Sequence, residues 1–193
     1  MSDSIPSAGR SFPEQAFGLL LEEAPETVAG FVRPVLPPAG SSEPLHDRVG
    51  ETTAEGEAIL PRLRETPGDR LLRDHPGRPA LIVKAGLLLL HGDLDHAHRL
   101  VQSFEGDRDA DAWHALVHRL EGDYGNSGYW WSRVGDHPFF NCLAKEHYVR
   151  RWDPQAFTER YRTVLRNGTD EERSLVKATQ AAEFALLLRH CLT

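Results

Sequence analysis

His114 and His118 stand four residues apart, and Glu121 follows three further on. Residues three and four apart share a helix face, so a helix here presents two imidazoles and a carboxylate in one stripe. Imidazole nitrogen with carboxylate oxygen is a donor set for zinc or iron. His91 or His98, on the preceding segment, can supply a further ligand. No glutamate directly follows His114, so this is not the helix of the zinc proteases. The metal-ligand candidates are therefore His114, His118, Glu121 and His91. Without an ion the same groups can move protons. The catalytic candidates are then His118, Glu121 and Arg119, with Arg119 or Arg133 holding an anionic substrate.

A second stripe lies a few residues on. Asn126, Trp130 and Arg133 fall at i, i+4 and i+7, beside Ser127, Trp131 and Val134. Tryptophan and arginine dominate binding hot spots, although an arginine over a tryptophan face is also ordinary structural support. With His98, His114 and His118 they form the candidate ligand-binding set. His91, Asp95, His96 and His98 surround Gly92, where Asp93 and Asp95 suit a helix N-terminus. His137 precedes Pro138 and shapes a turn. No glycine-rich phosphate loop, Gly-x-Ser-x-Gly elbow or Cys-x-x-Cys pair occurs.

Helices must position these groups. Apolar residues recur at helical spacing, and no alternating run is long enough for a strand. Ser11-Phe12-Pro13-Glu14 reads as a capping box, and Ala24-Pro25 ends the helix it opens. A short helix follows through Phe31, then a proline-rich connector over 33–44. A weak helix spans 53–64, where Pro61 is expected to kink or shorten it. A turn of helix is expected at 70–73. Longer helices are predicted over 79–91, 93–104, 109–121, 123–134, 138–150 and 153–166, with a last one from Thr169. Gly92 and Gly122 serve as left-handed caps. Asp93, Asp123 and Asp153 serve as N-caps.

The segment 84–138 holds six of the ten histidines and three of the four tryptophans. It also contains a repeated phrase. Leu90-His91-Gly92-Asp93-Leu94 with Ala97 returns 30 residues later as Leu120-Glu121-Gly122-Asp123-Tyr124 with Ser127. The phrase resembles the tetratricopeptide repeat, which has a small residue in its first helix, a Gly-Asp-aromatic turn and a small residue in its second helix. Ala85, Gly92, Asp93, Leu94 and Ala97 fit one copy. Ala115, Gly122, Asp123, Tyr124 and Ser127 fit the other, and Pro138 stands where the family's closing proline falls. The 30-residue period is shorter than that family's usual 34. The resemblance implies an all-α fold of antiparallel helical hairpins, stacked in a right-handed, repeat-like array behind an irregular N-terminal segment. The copies depart from it where that family packs apolar residues. Lys84 and Leu88 occupy those positions in the first copy, His114 and His118 in the second. Ionisable groups there are costly unless paired or put to use.

Hydrophobic residues at 40% and charged ones at 26% place the chain in the globular range. Residues 1–45 read as an N-terminal helix and proline-rich connector, and 46–193 as the helical-hairpin domain, the two expected to form one compact domain overall. A net charge of −7, without a basic cluster, argues against nucleic acid as a partner. No secretory leader or membrane-length apolar run is present, so a cytoplasmic, membrane-free protein is expected. Cys142 and Cys191 are expected as free, buried thiols. Three functions fit: a binding or scaffold domain with a His/Trp/Arg-lined groove for a peptide or small ligand; a small metal-dependent enzyme using His114, His118 and Glu121; or a satisfied polar core.

Overall fold

The computed structural model describes residues 11–75 and 77–193, and every regular element among them is helical. In chain order these are α1 (Phe12–Glu23), α2 (Glu26–Val32), α3 (Ala54–Glu65), α4 (Gly68–Leu71), α5 (Arg78–Leu90), α6 (Leu94–Gln102), α7 (Arg108–Glu121), α8 (Tyr124–Val134), α9 (Phe140–Glu146), α10 (Pro154–Asn167) and α11 (Asp170–His190). Two 3-10 turns, Arg33–Val35 and Leu45–Asp47, lie in the connector.

Side-chain caps fix most starts. The Ser11 N–H donates to the Glu14 carboxylate at 2.8 Å. Thr53 Oγ1 accepts from the Gly56 N–H, and Asp153 Oδ1 from those of Gln155 and Ala156. Thr169 and Glu172 close a reciprocal capping box. Each cap satisfies amides that the first turn leaves open. Helix α7 begins at Arg108 because Asp107 Oδ1 accepts from the N–H groups of Asp109 and Ala110. Several boundaries differ from expectation: the turn expected at 70–73 lies at Gly68–Leu71, and the helix expected to reach 104 ends at Gln102. Helix α3 continues through Pro61 to Glu65. An interior proline costs about 3 kcal/mol, and burial of Leu60 and Leu63 on either side offsets it at about 1.5–3 kcal/mol each. Helix α9 stops at Glu146, because Tyr148 adopts a left-handed φ of 53° and the Val149 N–H turns back to the Ala144 carbonyl.

Helices α5 and α6 form one hairpin, and α7 and α8 the next; α6 packs on α7, giving a repeat-like array. The two turns share their bonding. Asp93 N–H donates to Leu88 O at 3.0 Å, and Asp123 N–H to His118 O at 2.9 Å. Gly92 has φ of +75°, and a Cβ there would lie 2.8 Å from Thr52 N, so only glycine fits. The small residues Ala85, Ala97, Ala115 and Ser127 are all fully buried. Ser127 Oγ donates across its hairpin to Ala115 O at 2.8 Å. Lys84, the first copy's departure, caps α3 by donating from Nζ to the carbonyls of Arg64 and Thr66.

The 21-residue α11 packs against α1, α5, α9 and α10. With neighbours on all sides, every residue from Thr179 to Leu188 is buried. The N-terminal helix therefore shares a core with the hairpins rather than standing apart from them. Both cysteines are free; Cys142 is exposed, against expectation, whereas the Cys191 residue is partly exposed but its thiol lies buried and is pushed up by that burial. No helix among the described residues is long and apolar enough to cross a membrane.

Helices α5 and α7 approach most closely where Gly86 meets Trp113. A Cβ at Gly86 would lie 2.5 Å from Trp113 Cζ2, and Trp113 is fully buried. Overpacking of about 1–3 kcal/mol should outweigh the roughly 1 kcal/mol that alanine gains in helix propensity. Gly86→Ala is thus expected to lower the urea midpoint. A raised midpoint would show that Trp113 does not rest on α5.

Candidate functional site

His98 comes from α6, His114, His118 and Glu121 from α7, and Asn126, Trp130 and Arg133 from α8. The hairpin stack brings all seven together. The rings of His98, His114 and His118 form a triangle with centroids 4.7, 4.9 and 4.8 Å apart. One nitrogen from each ring lies within 4.8 Å of the other two. His114 is sandwiched: it stacks on Trp130 at 3.8 Å and on His118 at 4.8 Å, both at 20°.

The hydrogen bonds assign the protons. Glu121 Oε2 lies 2.8 Å from His118 Nδ1, and a carboxylate only accepts, so Nδ1 carries the hydrogen. That leaves the Nε2 lone pair, which accepts from Asn126 Nδ2 at 3.1 Å. Glu121 also lies 3.6 Å from His98 Nδ1. His114 Nδ1 is buried with no hydrogen-bond partner. Burial, together with the charges of His118, His98 and Arg133, pushes the His114 imidazole down to about 3. His114 is therefore neutral at physiological pH, the form a metal requires.

The six expected ligand-binding side chains do meet, but they pack on one another. His114 is 2% exposed and Trp130 7%. Arg133 lies over Trp130 at 5.2 Å and is held by Asp111 and Glu105, each at 3.4 Å. Cavities of about 520 Å³ beside Trp131 and Trp152, and about 530 Å³ beside Leu45 and Leu175, lie elsewhere. The side chains expected to line a groove thus cover one another here.

Other expected site residues are placed differently. Arg119 is fully buried. Its guanidinium pairs with Glu183 of α11, donates to Thr158 Oγ1 and lies 4.9 Å from the Phe157 ring centroid. Successive helical residues are about 100° apart, so Arg119 faces the core while His118 faces α6. His91 stands outside the triangle. Its Nε2 meets the Phe31 carbonyl at 2.7 Å and its ring lies against Gly56, tying α5 to α2 and α3. His96 bonds Asp93, whose other oxygen accepts from Arg64, so Asp93 stands at the start of α6 without the side-chain cap bond expected of it. His137 bonds Asp109, a partner that no local spacing pointed to.

Fold and site together define an all-helical protein with repeat-like hairpins and a three-histidine cluster of metal-binding type. No protein-family model matches the chain, nor does any curated protein or any solved structure.

Proposed function

We propose that this protein binds a divalent transition ion, zinc on the strength of its donor set, through His98, His114 and His118. The observation that carries the reading is the convergence of three imidazoles from two helices onto one small volume. Ligand atoms around tetrahedral zinc stand about 3.3–3.4 Å apart, as metal–nitrogen bonds of about 2.0–2.1 Å require. The three nitrogens lie within 4.8 Å of one another, so binding an ion would draw the rings closer. A metal also accounts for the polar groups at buried positions. A buried nitrogen without a partner costs about 1–3 kcal/mol, and an ion drawing on this cluster offsets such costs. Glu121 supports the ligands from behind, its bond to His118 Nδ1 fixing the tautomer that puts the lone pair on Nε2, where an ion would take the place of the Asn126 amide.

An ion needs no cavity, whereas a peptide or drug-sized ligand does, so the closed packing favours the metal over the groove. His98 and Glu121 are each about 31% exposed, which supports a solvent-side position for water. Three protein ligands with one open position is the arrangement of catalytic zinc, which lowers the pKa of its water to about 7. A metal-dependent hydrolytic enzyme is accordingly the activity we infer. We further infer a right-handed, tetratricopeptide-like stacking of the hairpins, supported by their matching turn bonds, and a cytoplasmic location.

Protein stripped with chelator and titrated with zinc should melt at a higher temperature. At a zinc concentration 100 times its Kd the gain is about 2.7 kcal/mol. His98→Ala, at the exposed corner, and His118→Ala should each reduce that gain at low zinc. A zinc-induced shift that both variants retain in full would overturn the assignment.

A further inference from the structure

A second group of donors lies at the other end of α7. Asp109 sits in the first turn of α7, His137 in the turn before α9, and His190 at the end of α11. Five residues separate Asp109 from His114, which places them about 140° apart around α7. His137 Nε2 lies 2.8 Å from Asp109 Oδ1, and His190 Nε2 lies 3.5 Å from the same oxygen. The two rings meet edge to face at 4.6 Å. One ligand atom from each of the three residues lies within 4.8 Å of the others.

We infer that Asp109, His137 and His190 form a second divalent-metal site, separate from the three-histidine centre. The spacing is what carries this. Donor atoms around an octahedral or tetrahedral ion with bonds near 2.1 Å stand about 3.0–3.4 Å apart. The two Nε2–Oδ1 distances, 2.8 and 3.5 Å, bracket that range. His137 is buried and held by the Phe139 and Phe140 rings. Asp109 and His190 are each about 30% exposed, which gives an ion a way in.

Without an ion, His137 Nε2–H donates to Asp109 Oδ1, and His190 Nε2 stands 3.5 Å from the same oxygen. On metal entry each ring would offer its Nε2 lone pair, with its hydrogen carried on Nδ1 instead. His137 Nδ1 has no partner and is free to take that hydrogen. Two imidazoles and one carboxylate suit iron(II) or manganese(II) better than an all-nitrogen set does, and three protein ligands leave further positions open. A cavity of about 310 Å³ adjoins, lined by His137, Arg108, Arg150, Arg151 and Asn141. Its three arginines against one carboxylate, Asp136, select water or a small oxyanion as the remaining ligand.

Cobalt(II) titration of the stripped full-length protein, followed by its visible spectrum and by bound metal, tests this. Wild type should bind two equivalents. Asp109→Asn, which keeps the side-chain shape, and His190→Gln, at a partly exposed position, should each bind one. His98→Ala should lose the other equivalent, and the Asp109→Asn/His98→Ala double variant both. Unchanged cobalt stoichiometry in folded Asp109→Asn and His190→Gln would overturn the second site and leave a hydrogen-bonded Asp–His pair only. Loss of cobalt from those two variants, with none lost from His98→Ala, would sink the three-histidine reading and leave this one standing.

Discussion

Glu183→Ala is expected to lose about 3–5 kcal/mol of unfolding free energy, the largest single effect in the molecule. The side chains of Glu183 and Arg119 are both 0% exposed. Burial pushes the Glu183 carboxyl up, and Arg119 with the Trp152 indole opposes it. Trp152 Nε1 donates to Glu183 Oε1 at 3.3 Å, and Thr158 takes the remaining Arg119 donors. Removing the carboxylate leaves a guanidinium among Trp131, Phe157 and Tyr161 with no counter-charge. The aromatic faces recover only about 2 kcal/mol or so. Desolvation makes the intact pair itself of small net worth. Arg119→Met with Glu183→Leu should therefore regain most of what Glu183→Ala loses. Urea midpoints of the three proteins check this. A loss below about 1 kcal/mol in Glu183→Ala would mean that water reaches Arg119.

Metal-free protein should also lose stability in mild acid, before most carboxylates titrate. His114 has its folded value depressed to about 3 from an ordinary 6.5. Between those values the unfolded chain binds a proton that the folded chain refuses. Stability from this residue is thus complete above pH 6.5 and falls as pH drops toward about 3. The slope is about 1.4 kcal/mol per pH unit. From pH 6.5 to 5 the loss is about 2 kcal/mol, and by pH 3 it approaches about 5 kcal/mol. His46, His91, His147 and His190 are lowered by burial as well and add in the same direction. His114→Phe keeps an aromatic ring against Trp130 and removes the titration. Its midpoint should fall less steeply between pH 6.5 and 5. Parallel curves for the two proteins would show that His114 accepts its proton in the folded state. Bound zinc should suppress the wild-type loss until protons displace it.

The amino-acid sequence by itself determined the helices, because caps and turns act over three or four residues. Thr53, Asp153 and Thr169 open helices where their short-range chemistry requires, and Gly92 and Gly122 close them. It also determined that His114, His118 and Glu121 share a stripe, since that follows from 3.6 residues per turn. His98 was legible as a third donor only through the repeat, which folds α6 back beside α7. Tertiary structure decided which way each stripe turns and what covers it. Arg119 is one residue from His118, yet its partner Glu183 is 64 positions away on α11. His91 was as good a ligand on paper as His98, but the Phe31 carbonyl claims it. Asp109, His137 and His190 have no periodic relation at all; three helix ends converge to bring them together. A local code fixes the face on which a side chain stands, while the azimuth at which helices dock selects its neighbour. That docking is set by burial summed over the whole core, which no spacing within one helix records.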